Sequence, residues 1–201
     1  MQRRPADILL VRHGEPDVDW TPSIDVATFE QWTRGYDVAP LQDTSQPPAE
    51  VRRFATEASR LFCSTLARSL QSCSLAAGEE RRAESSPLFN EVRLVMPPLR
   101  KLRFPPARWV SMAGIFWRCG YSRGVESRSA VRSRAEAGVD LLVTAALEEK
   151  APIVLFGHGA INRFLKRALL RRGWGLAASC ANAGDYWGWS KHSFRSARLA
   201  H

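Results

Sequence analysis

Two short aliphatic runs, each delivering a His-Gly pair, constrain this chain more than anything else in it. Ile8-Leu9-Leu10-Val11 runs into Arg12-His13-Gly14-Glu15, and Ile153-Val154-Leu155-Phe156 runs into Gly157-His158-Gly159. Short, continuous apolar runs read as strands buried on both faces, the kind found in parallel sheets covered by helices. The residues after such strands lie where open α/β sheets bind ligands. The same chemistry is thus expected at two strand ends.

The rest of the pattern fits that frame. Strands are expected at 7–12, 61–64, 83–85 (weakly) and 153–157, with a late antiparallel edge strand at Tyr186-Trp187-Gly188-Trp189. Helices are expected at 27–32 (short), 49–60, 67–77, 127–150 and 160–172. Gly78 is the expected stop of the third, and Ser127 the N-cap of the fourth. In that fourth helix Val131, Ala135, Val139, Leu142 and Ala146 recur at three-to-four spacing. Strands alternating with helices predict an α/β fold, a three-layer sandwich with a mostly parallel central sheet. At 201 residues the chain reads as one domain, 1–201. Pro97-Pro98 and Pro105-Pro106 interrupt residues 86–125, which also hold an apolar helical stretch, Trp109 to Trp117. This segment reads as an inserted cap or lid; the alternative is a long, poorly ordered surface loop.

Composition narrows the function. No stretch approaches the roughly 18 apolar residues of a membrane span, and Ile8–Val11 is too short for a signal-peptide core, so the chain is read as cytoplasmic. Cys63, Cys73, Cys119 and Cys180 form no Cys-x-x-Cys pair and no zinc spacing, and read as reduced, mostly buried thiols. No metal and no cofactor is expected. The net charge of +9 favours anionic partners.

Arg12 and His13 follow the first strand, Arg68 follows the strand 61–64, and His158 ends the strand 153–157. If these strands are neighbours, two arginines and two histidines converge. Guanidinium forks match phosphate oxygens, and a helix N-terminus adds N–H donors. A neutral imidazole held in that cradle can attack phosphorus and form a phosphohistidine.

These residues resemble the histidine phosphatase superfamily, the phosphoglycerate-mutase-like enzymes. Leu10-Val11-Arg12-His13-Gly14-Glu15 resembles its signature. Cys63 to Ser72 is similar to its Ser-x-Leu-x-Arg-x-x-Gln-Thr segment. Gly124-Val125-Glu126-Ser127, with Arg134 further on, resembles its Gly-Glu-Ser…Arg helix start, and Phe156-Gly157-His158-Gly159 its second histidine motif. The resemblance implies that His13 accepts the phosphoryl group and that Arg12, Arg68 and His158 hold it. It also implies that Glu91 exchanges protons with the leaving oxygen and water. Glu84 is the neighbouring alternative to Glu91. The chain departs from the pattern at Pro16, at Val92–Pro97 and at Asp17 and Asp19.

The expected activity is therefore a phosphomonoester hydrolase acting on a small phosphorylated metabolite. A mutase-type phosphotransferase is the alternative within the family. A second class, a basic nucleic-acid or membrane-surface module, rests on two basic runs: Arg163, Lys166, Arg167, Arg171 and Arg172; and Arg118 to Arg134. No RNA-binding motif accompanies them, and a solvated helix face is the plainer reading. A phosphoester-binding chain without turnover is a third reading, opposed by the intact His13 and His158. Trp109 to Trp117 are read as core, and His192 and His201 as surface residues. The sequence does not fix the substrate or the oligomeric state.

Overall fold

The structure, a computed structural model, describes residues 5–99, 102–180, 182 and 184–195; His201 lies outside them. Its elements begin with β1 (Ile8–Arg12), α1 (Val26–Val38), α2 (Ala49–Glu57), β2 (Arg60–Cys63), α3 (Ala67–Ala77) and β3 (Glu84–Ser85). A 3-10 turn at Pro87–Phe89 follows, then α4 (Pro106–Arg118), α5 (Arg128–Glu148), β4 (Ile153–Gly157), α6 (Gly159–Arg171), β5 (Trp174–Ser179) and β6 (Trp189–Phe194).

The strands form a six-stranded sheet in the order β3-β2-β4-β1-β6-β5. β3, β2, β4 and β1 are parallel neighbours, and β6 pairs antiparallel with both β1 and β5. The sheet is therefore mostly parallel, as the apolar runs imply. The pleat sends alternate side chains to opposite faces. Ile8, Leu10, Phe62, Ile153 and Leu155 pack with Val131, Ala135, Val139 and Leu142 of α5 and Ile161 and Leu165 of α6. Leu9, Val11, Leu61, Val154 and Phe156 pack with Val51 and Ala55 of α2 and Cys73 and Ala76 of α3. The register sets Arg12 opposite Gly157 and Cys63 opposite Phe156, so three strands end level with one another.

Capping chemistry sets several helix ends. The Ser127 side chain accepts from Ala130 N–H to start α5. Gly78, at φ 88°, closes α3 in a conformation that disfavours other residues. α1 is longer than the short helix expected at 27–32; Asp25 caps it through Thr28 N–H. Within 86–125 the chain forms α4 rather than a structureless loop. Trp109 and Ala113 pack on Ile24, Phe29 and Met96, and Trp109 donates from Nε1 to the Ile24 carbonyl at 2.8 Å. α4 therefore packs on α1, which an entirely different stretch of sequence supplies.

Three expectations need correction. The late strand begins at Trp189, where Tyr186-Trp187-Gly188 is a turn, and it lies inside the sheet with β5 as the edge. β5 was not expected. His192, read as a surface residue, is fully buried on β6 opposite Ile8. The thiols are free, but only Cys63 and Cys73 are buried; Cys119 is exposed.

Candidate active site

His13 follows β1 and is held by neighbours on both sides. Its N–H donates to the Gly157 carbonyl at 3.0 Å, while its own carbonyl accepts from Trp187 N–H at 3.3 Å. Gly14 must be glycine: a Cβ there would lie 2.6 Å from the Trp187 indole and 2.7 Å from Ser45 Oγ. The imidazole is 1% exposed, and its Nδ1 lies 2.6 Å from the Gly14 carbonyl. A carbonyl only accepts, so Nδ1 carries the proton and Nε2 the lone pair. Arg68 Nε donates to that Nε2 at 3.3 Å. Burial first, then Arg68, lower the His13 pKa to about 3, so the ring is neutral at pH 7.

His158 caps α6 and is fully buried, its ring 4.9 Å from that of His13. Its Nε2 lies 2.6 Å from Ser64 Oγ at the end of β2. Burial first, then the neighbouring His13, Arg68 and Arg12, push its pKa well below the usual imidazole value.

Arg68 lies in the first turn of α3 and is fully buried. Its Nη1 donates to the carbonyls of Tyr36 at 2.9 Å and Asp37 at 3.4 Å, the end of α1. Its Nη2 stands 3.7 Å from the Asp37 carboxylate, and its guanidinium 4.5 Å from the Tyr36 ring. Arg12 donates to the Gly184 carbonyl and lies 4.3 Å from the Tyr186 ring. It also crosses the start of α6, where a Cβ on Gly159 would lie 3.6 Å from its Nε. Among the described residues, buried polar atoms without a hydrogen-bond partner include Arg12 Nε, Arg68 Nη2 and His158 Nδ1. All three belong to this cluster.

Glu91 sits at the start of α6. Its Oε1 accepts from Val92 N–H at 2.9 Å and Ile161 N–H at 3.0 Å, and its Oε2 from Ala160 N–H at 3.1 Å. Arg134 fixes the approach to it by donating to the carbonyls of Leu88 at 2.9 Å and Asn90 at 2.8 Å while pairing with Glu126 at 2.8 Å. Glu84 is exposed and paired with Arg60, on the far side of β2 from β4. Asp19 turns back onto Thr21.

The structure thus brings Arg12, His13, Arg68 and His158 together and holds Glu91 on the first-turn N–H groups of α6, directly after His158 at its N-cap position. The sequence reading missed the second layer. Ser64 lies in the segment Cys63 to Ser72, where the family resemblance implies a role for Arg68 alone. Tyr36 and Asp37 lay beyond the expected end of α1. Tyr186 and Trp187 were hidden in the supposed strand. Trp187 adopts φ 59°, a costly conformation for a bulky residue, while its Nε1 donates to Ser45 Oγ at 3.0 Å. The sequence signal that this neighbour leaves is the glycine at position 14, which has no room for a Cβ beside the indole.

Among the described residues no three His, Cys, Asp or Glu side chains gather as metal ligands would, and no helix is long and apolar enough to cross a membrane. The basic face of α6 is partly neutralised: Arg171 and Arg172 pair with Glu136, and Arg172 also with Asp140.

The fold has known counterparts. A structure described as mycobacterial hydrolase 1 superposes with a TM-score of 0.61 at 19% identity, covering 98% of this chain and 92% of that one. Mycobacterial glucosyl-3-phosphoglycerate phosphatase gives 0.57 at 20% identity, over 94% and 90%. A phosphoserine phosphatase mutant from Entamoeba histolytica, in complex with phosphoserine, gives 0.59 at 16%, over 94% and 91%. At such identities the likeness is one of fold. No curated protein is matched by the sequence. The family model of the histidine phosphatase superfamily (branch 1) matches residues 8–198, and the chain belongs to that superfamily.

Proposed function

We propose that this chain is a metal-independent phosphomonoester hydrolase that works through a phosphohistidine on His13. The observation that carries the reading is the set of three unpartnered buried atoms, Arg12 Nε, Arg68 Nη2 and His158 Nδ1, around a neutral imidazole. Buried polar groups without partners are rare and call for an explanation. An anion supplies the missing acceptor for all three.

In this mechanism His13 Nε2 attacks phosphorus as the P–O bond to the leaving group breaks. Arg12 and Arg68 neutralise charge that grows on the phosphoryl oxygens. Arg68 Nε must first release Nε2 and turn to the phosphate. Glu91 Oε1 already accepts two N–H bonds but Oε2 only one, so Oε2 is the atom free to hold a proton. It gives that proton to the leaving oxygen and takes one back from the water that cleaves the P–N bond. The product is inorganic phosphate, and Glu91 is regenerated.

The substrate is read as a small phosphorylated metabolite. Two proteins of like fold are named as phosphatases of phosphoserine and of glucosyl-3-phosphoglycerate, which supports that size class. The pair α1 and α4 is proposed as the cap that selects it, because α1 ends against Arg68. A rapid-quench experiment with a 32P-labelled phosphoester tests the mechanism. Acid-labile, base-stable label should appear on His13 and be absent from His13→Ala. Turnover with label on another residue, or with none trapped while His13→Ala remains active, would overturn it.

A further inference from the structure

The two histidines do opposite work in the mechanism above, yet both are neutral imidazoles. What separates them is which ring nitrogen an oxygen holds, Nδ1 at His13 and Nε2 at His158. At His13 the Gly14 carbonyl fixes the proton on Nδ1 and leaves Nε2 as a lone pair. At His158 the fixing partner is a hydroxyl, which can donate or accept.

The surroundings of Ser64 decide between these. Ser64 is fully buried. Its Oγ already accepts from Leu66 N–H at 3.2 Å, and it lies 2.6 Å from His158 Nε2. Among the described residues Nε2 is the one acceptor within reach of its proton, and a buried O–H left without an acceptor is penalised. The hydroxyl therefore donates to Nε2. A neutral imidazole carries one proton, which then resides on Nδ1. His158 Nδ1 is buried without a partner, like Arg12 Nε and Arg68 Nη2. An N–H at that point adds a third donor to two guanidinium groups, where a lone pair would repel an anion.

We infer that Ser64 is a positioning residue that sets the His158 tautomer and so turns its Nδ1–H toward the phosphoryl group, an inference that rests on the phosphatase reading for its purpose. Ser64 is itself fixed from behind. Its N–H donates to Ser69 Oγ at 2.9 Å, and Ser69 Oγ donates to the Phe156 carbonyl at 2.6 Å, on the strand that leads to His158. The end of β2, the first turn of α3 and the end of β4 are thus tied into one unit. Such supporting contacts orient the groups that touch substrate.

The test is 15N NMR of the histidine ring nitrogens in the substrate-free protein, with His158 assigned through His158→Gln. Wild type should show a protonated Nδ1 and an unprotonated Nε2 at His158. Ser64→Ala should shift that ring toward the other tautomer, and Ser64→Thr should restore it. In parallel, Ser64→Ala should weaken orthovanadate inhibition and lower kcat on p-nitrophenyl phosphate about 10- to 100-fold, with KM changed far less. The proposal falls if wild-type His158 carries its proton on Nε2, or if Ser64→Ala leaves the ring spectrum unchanged. Should Ser64→Ala fail to fold, the wild-type and Ser64→Thr spectra decide alone. If wild type turns over no phosphoester, the phosphatase reading fails, and the tautomer measurement still decides the role of Ser64.

Discussion

Arg68→Met separates function from stability at a fully buried charge. The arginine makes one good hydrogen bond to a carbonyl, Tyr36 at 2.9 Å, longer ones to His13 Nε2 at 3.3 Å and to the Asp37 carbonyl at 3.4 Å, and an ion pair at 3.7 Å. A hydrogen bond to a charged group contributes about 1.5–3 kcal/mol. Tyr36 and Asp37 are only half-buried, so water can replace part of that loss. Against it stands the desolvation of an incompletely paired cation, a penalty of several kcal/mol that a methionine of similar length relieves. The two effects are of like size and opposite sign. Net stability should change by no more than about 2 kcal/mol, a shift of under ~8 °C in Tm for a chain this long. Activity should respond quite differently. Losing a charge that acts on the transferring phosphoryl group costs about 1,000-fold or more, or about 4 kcal/mol at ~1.36 kcal/mol per tenfold. Urea unfolding followed by circular dichroism gives the first quantity, and kcat/KM on p-nitrophenyl phosphate the second. A variant more than ~3 kcal/mol less stable that retains over a tenth of wild-type activity would show that Arg68 serves the fold, and the argument would fail.

Glu91→Gln should slow hydrolysis of an alkyl phosphate far more than that of p-nitrophenyl phosphate, whose leaving group needs little protonation; equal slowing of both would remove Glu91 as the acid. Acid should destabilise the protein through its buried histidines. His13 and His192 are lowered to about 3 and about 4, and burial lowers His158 as well, so between pH 6.5 and those values the unfolded chain binds more protons than the native one. Stability should therefore be complete above about pH 6.5 and fall as pH drops, by up to ~1.4 kcal/mol per unit for each such histidine. Urea midpoints at pH 7, 6 and 5 check this, and a flat profile would contradict it. Gly14→Ala should lose activity and about 1–3 kcal/mol of stability, because its Cβ would meet the Trp187 indole at 2.6 Å; a variant with wild-type Tm and kcat would mean that this contact yields freely.

The parts of the protein legible in its sequence are those where one chain segment specifies its own structure. The runs at Ile8 and Ile153 could hardly be anything but strands buried on both faces, and they pair in register. The stripe on α5 needs only a sheet to lie against, and all five of its residues are buried. Arg12, His13 and His158 are legible for the same reason: a parallel sheet puts strand ends together whatever the intervening chain does. The rest depends on contacts that no local pattern announces. His192 sits between polar neighbours on β6 and gives no sign that it is buried opposite Ile8, since Ser190-Lys191-His192-Ser193 lacks an apolar period. The turn at Tyr186–Gly188 reads as strand because aromatic residues favour strands, whereas its backbone bends to seat Trp187 on Gly14.

The end of α1 is the most instructive case. Its moderate apolar content predicts only a turn or two of helix, yet the helix runs to Val38 because α4 covers Phe29 and Trp109 joins the same cluster. That added length carries the carbonyls of Tyr36 and Asp37, and the Asp37 carboxylate, up to Arg68. A helix C-terminus presents partial negative charge, so α1 offers the buried guanidinium a partner of the same sign as phosphate. The distance of 3.7 Å to the carboxylate leaves Arg68 Nη2 without a hydrogen bond. α1 therefore compensates the charge of Arg68 in part while leaving a donor open to a better acceptor. A site built from strand ends alone would hold two arginines and two histidines with no opposing charge. The long-range packing of α1 on α4 is what makes that cluster tolerable to the fold.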